Sequence, residues 1–139
     1  MSLGERLAPV FGRGLLALIF LLAGYIKIVG WDNSVATLAA HKLPAPAFLL
    51  SVALMTELLC GAAIFVGFRT KLAALLLFLY TLTVNCVLHD FWTYTDPAQF
   101  QRYALELQLF VKNMAIAGGL LLLVGHGAGE WSWDSWRGE

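Results

Sequence analysis

Charge is scarce in this chain: of 139 residues, nine are Lys or Arg, nine are Asp or Glu, and the formal net charge is zero. A soluble domain of this size needs a polar surface, and 13% charged residues set against 60% hydrophobic ones cannot cover one. The even charge balance also removes the electrostatic footprint of a nucleic-acid binder, and no basic cluster or base-reading motif is present. Cysteine is equally sparse. Cys60 and Cys86 both fall inside apolar stretches and read as small buried hydrophobes, pairing only if their helices meet at one depth. The three histidines, at positions 41, 89 and 126, are too scattered for a metal motif, so no metal is expected.

What the chain does have is long hydrophobic runs, at about 10–29, 46–67, 72–89 and 107–125. Crossing a bilayer takes about 20 helical residues, because each adds only about 1.5 Å. Four such runs predict an all-α, integral membrane four-helix bundle forming a single domain over 1–139. Arg6 and Arg13 before the first run mimic a signal peptide, but the stretch continues to Lys27 without a small-x-small cleavage site. It is therefore expected to stay as the first span. Pro44 and Pro46 suit the entry to the second span, where a missing N–H costs little. The short Gly67–Lys71 connector makes the second and third spans antiparallel neighbours, and residues 98–106 can lead helically into the fourth. The tail, 126–139, carries Trp131, Trp133 and Trp136, residues that favour the membrane interface.

With four spans, both termini share one side. That side carries Arg6, Arg13, Arg69, Lys71 and Arg137 against Lys42 and Arg102 opposite, so the positive-inside rule puts both termini in the cytoplasm.

Inside the runs stand residues that hydrocarbon rejects: Lys27, Glu57, Asn85, His89, Gln108, Lys112 and Asn113. An ionisable group there faces the protein interior by default and marks a working site. Chain direction places all of them in the outer half of the membrane, with Glu57 deepest. Asn85, His89 and Trp92 share a face if helicity persists, and Gln108 stacks on Lys112 one turn away. Asn113 points about 100° from Lys112. A purely structural reading pairs Glu57 with Lys27 or Lys112 and lets the lysine stems snorkel to the interface. The convergence of so many polar groups favours an outer-half cavity instead.

Such a cavity suits a quinone, whose carbonyls need donors and whose reduction needs a proton route. His89 and Lys112 can donate, Asn113 and Gln108 can orient the ring, and Glu57 can exchange protons. These three, Glu57, His89 and Lys112, are the candidate catalytic groups; Lys27, Asn85, Trp92, Gln108 and Asn113 are candidate ligand contacts. A small anion would fit the two lysines as well.

The order of Gly12-Arg13, Ala23-Gly24-Tyr25-Ile26-Lys27, Glu57 to Gly61, Gly67 to Ala74, His89-Asp90-Phe91-Trp92, Gln108 to Asn113 and Gly118-Gly119 resembles the DoxX family. Lys71 departs from that pattern, standing where an arginine is usual. The resemblance spans about residues 10–125 and implies a small bacterial inner-membrane protein of four helices, linked to redox metabolism. Some members are subunits of a thiosulfate:quinone oxidoreductase, and others are tied to oxidative stress. Lys27, Glu57, His89, Trp92, Gln108, Lys112 and Asn113 are the positions carried over. Three readings result. One is a quinone-linked redox subunit, perhaps-free of any resident cofactor, whose electrons come from its substrate or from a soluble or membrane redox partner. Another is a non-catalytic scaffold or assembly factor in the lipid bilayer. The third is a small-solute transporter, which four helices could form only as a homo-oligomer.

Overall fold

A computed structural model describes all residues 1–139. It is entirely helical: α1 Leu3–Val29, α2 Trp31–Ala40, α3 Pro46–Val66, α4 Thr70–Leu88, α5 Phe100–His126 and α6 Trp133–Arg137, with 3-10 turns at Phe91–Thr93 and Pro97–Gln99. Four of these, α1, α3, α4 and α5, lie in segments long and apolar enough to cross a membrane. The other two helices were not expected. α2 fills the first connection after Gly30 ends α1, and buries no residue. α6 sits in the tail.

Helix starts follow local chemistry. α1 begins seven residues before the apolar run because Ser2 and Glu5 form a capping box: the Glu5 N–H donates to Ser2 Oγ at 3.2 Å and the Ser2 N–H to Glu5 Oε2 at 2.6 Å. Pro46 opens α3 at its first turn, and Gly67 closes it in the left-handed region at φ 76°. α5 starts at Phe100, so the polar lead-in and the apolar run form one rod.

Each span buries one stripe: Arg13, Ala17, Phe20 and Gly24 on α1; Leu50, Glu57, Gly61 and Ile64 on α3; Thr70, Ala73, Ala74, Leu77, Thr81 and Asn85 on α4. Three- and four-residue spacings keep these on one face. The remaining faces are apolar and exposed, Leu15, Leu59 and Leu122 among them, as lipid contact requires. α1 packs along α3 and α5 along α4, and α3 against α4 joins the two pairs. α1 and α5 touch only sparsely, which leaves a seam.

Close approach rests on small residues. A Cβ on Gly24 would lie 2.6 Å from Leu58 Cδ2, and one on Gly119 would lie 3.3 Å from Leu16 Cδ2. The second contact closes the α1–α5 seam toward the end of the bundle that carries the termini. There the apolar core gathers Ala17, Phe20, Ile64, Ala73, Ala74, Leu77, Leu120 and Leu123. The opposite half holds the polar residues.

Candidate functional site

Above the apolar core, all four spans contribute to a cavity of about 210 Å³. α1 supplies Ile19, Phe20, Ala23 and Lys27, α3 supplies Glu57, α4 supplies Tyr80, Thr81 and Val84, and α5 supplies Lys112, Asn113 and Ile116. His89, just past the end of α4, completes the lining. Ile19 and Ala23 on α1 face Lys112 and Ile116 on α5, so the cavity lies along the sparsely packed seam.

Glu57 is the buried charge of this half, only 3% exposed. Its Oε1 accepts from Lys27 Nζ at 2.8 Å and from the Tyr80 hydroxyl at 2.6 Å. Its Oε2 is buried with no partner, and so is Thr81 Oγ1 on the same lining. A buried carboxylate oxygen without a donor costs about 1–3 kcal/mol or more, so its retention at a cavity wall points to an incoming donor.

A second polar layer braces the wall. Asn85 Nδ2 donates to the Phe110 carbonyl at 3.0 Å, and Asn113 Nδ2 donates to Asn85 Oδ1 at 3.2 Å. His89 Nδ1 lies 3.0 Å from Glu106 Oε2, whose other oxygen is 3.8 Å from Arg102 Nε. Lys112 has neither an ion-pair partner nor a hydrogen bond within the chain.

The structure thus brings Lys27, Glu57, His89, Lys112 and Asn113 to one cavity and puts Asn85 behind it. Two expected residues stand elsewhere. Gln108 is exposed and makes no polar contact, because helix geometry turns it off the lining stripe of α5. Trp92 lies in a 3-10 turn, since α4 ends at Leu88 and the face shared with Asn85 is not continued. Its ring packs edge-on against Phe91 and Phe110 at 5.2 and 6.2 Å. Tyr80 and Glu106 were missed. A hydroxyl in the middle of an apolar run was the available signal for Tyr80. Glu106 was read as part of a lead-in segment, although its spacing from Arg102 is that of a helical ion pair. Cys60 and Cys86 are both free thiols.

A larger hollow, about 740 Å³, opens at the other end between the tail and the start of α4. Its polar groups are already committed to structure. Arg13, 4% exposed, donates to the carbonyls of Phe65, Ala128 and Trp131, tying α1 to α3 and to the tail. Asp134 accepts from the Arg69 and Thr70 N–H groups at 2.6 and 2.8 Å, capping α4 from a distance in sequence. Burial opposes the charged form of Asp134, but those donors and the Arg137 cation outweigh it and hold the carboxyl below its usual range. A Cβ on Gly67 would come within 2.5 Å of Ser132 Cβ, so the turn and the tail fit only with glycine there.

Comparison with known proteins agrees with this architecture. The family model described as DoxX matches residues 8–90. The inner membrane protein YphA of Escherichia coli is 32% identical over 90% of this chain and 86% of its own length. The inner membrane protein YqjF of the same organism is 31% identical over 94% of this chain and 92% of its own. An ER-derived vesicles protein of Saccharomyces cerevisiae is 37% identical over half of this chain, though over only 21% of its own length. No solved structure matches the chain.

Proposed function

The chain belongs to the DoxX family and is an integral membrane protein, and on that premise we propose that it binds the head group of a membrane quinone as a subunit of a redox system in a bacterial inner membrane. The observation that carries this reading is the unpartnered Glu57 Oε2 in a polar cavity on the α1–α5 seam, beside exposed apolar helix faces. A ligand soluble in lipid reaches such a site from the side, its tail remaining among the acyl chains.

A quinone supplies a two-electron, two-proton acceptor. Lys112, His89 and the Thr81 hydroxyl provide donors for its oxygens, and Asn113, fixed by Asn85, sets one wall. Glu57 holds or releases a proton at Oε2 while Lys27 and Tyr80 keep Oε1 in place. His89 and Glu106, with Arg102 beyond, lead from the cavity toward the loop end of the bundle. No side chain here carries electrons, so a partner protein or the substrate itself delivers them. In this reading both termini are cytoplasmic and the cavity sits in the outer half of the bilayer, as the five basic residues of the terminal side favour.

The test is organic extraction of the purified protein and mass spectrometry of co-purified quinone, with Glu57→Gln/Lys112→Ala as control. Quinone retained by the native protein and lost from a folded control supports the site. Its absence from both overturns the reading.

A further inference from the structure

Every ionisable group on the cavity wall but one is neutralised within the chain. Lys27 and Glu57 pair at 2.8 Å, and His89 lies 3.0 Å from Glu106. Lys112 alone has no carboxylate within reach. It stands twelve residues into α5, about 18 Å along the helix, and one turn past Gln108. An unmatched ammonium at that depth is costly in hydrocarbon, so its counter-charge has to come from what the cavity holds. The same wall offers the Thr81 hydroxyl and the second N–H of Asn113 Nδ2 as further donors.

We propose that the head group taken by this cavity is a monoanion, an acidic hydroxyquinone or an equivalent singly charged oxyacid, whose charged oxygen is held by Lys112. This rests on the quinone-site reading and narrows it from a neutral ring to a charged one. Lys27 cannot serve as the anion's partner, since Glu57 and Tyr80 already fix it through their shared oxygen. Lys112 is therefore a specificity group: it decides which ring binds, leaving proton exchange to Glu57.

The matched probes are 2-hydroxy-1,4-naphthoquinone, an anion at neutral pH, and the neutral 2-methyl-1,4-naphthoquinone, titrated calorimetrically into the full chain in detergent. The anion is expected to bind at least tenfold more tightly. Lys112→Gln should erase that preference while keeping affinity for the neutral ring, and Lys112→Arg should preserve it, which separates lost charge from lost folding. Equal binding of the two probes to the native protein, or a preference that survives Lys112→Gln, overturns the charge assignment and leaves the quinone site standing. Failure of both probes to bind overturns the site together with the assignment.

Discussion

The two ends of this bundle each bury charge, and they treat it in opposite ways. At the terminal end Arg13 is saturated by three backbone carbonyls and Asp134 by two backbone N–H groups. In the other half Glu57 keeps an oxygen without a donor, and Lys112 has no counter-ion. A buried charge whose bonds are complete cannot accept a ligand without breaking structure. One whose bonds are incomplete can. The contrast assigns fastening to the tail end and binding to the cavity, although both would read as polar residues in an apolar sequence.

The largest effect expected from breaking this contrast is at Arg13. Arg13→Leu strands the carbonyls of Phe65, Ala128 and Trp131 and should cost about 3 kcal/mol. Denaturant unfolding in detergent measures the loss, and limited proteolysis should show the tail released. Glu57→Gln comes next. Quinone retention should fall at least tenfold, with stability lowered by only about 1 kcal/mol, because the amide can still accept from Lys27 and Tyr80. A stability loss as large as that of Arg13→Leu would erase the distinction between the two ends.

Asp134→Asn should weaken the tail contact by about 1 kcal/mol, as loss of a helix cap does, and leave quinone retention unchanged. The pH dependence has a fixed sign. The folded-state pKa of Asp134 is depressed, so its contribution is complete at neutral pH, above the ordinary carboxylate value. It is lost as the pH falls through the lower folded value. Acid should therefore loosen the tail of the native protein, while Asp134→Asn should be loose already at neutral pH. Proteolysis of the tail across an acid series distinguishes them. The smallest effect is expected at Gln108: Gln108→Ala should change both stability and binding little, within about 0.5 kcal/mol for the former. A strong binding defect there would enlarge the site beyond the present cavity.

Much of this was legible in the residues because hydropathy and chain direction fix it. Four apolar runs of spanning length require helices in lipid, and short connections require their alternation. Depth follows from counting along each helix, so Lys27, Glu57, His89, Lys112 and Asn113 were expected together. Rotation about each helix axis is less secure, and Gln108 and Trp92 show where it fails. Gln108 is one turn from Lys112 yet turned away from the lining, while the face through Trp92 ends when α4 stops at Leu88. Nothing local announces that Arg13 would find carbonyls in the tail, 115 and 118 positions away, or that Asp134 would cap α4.

Sequence by itself determined the membrane, the number of spans and the half of the bilayer in which polarity gathers, because these depend on length, hydropathy and order. Tertiary structure decided which charges are complete and which are not. Hydrogen bonding is a matter of a few tenths of an ångström between distant residues, and only packing sets that: Glu57 received Lys27 and Tyr80, and Lys112 received no partner.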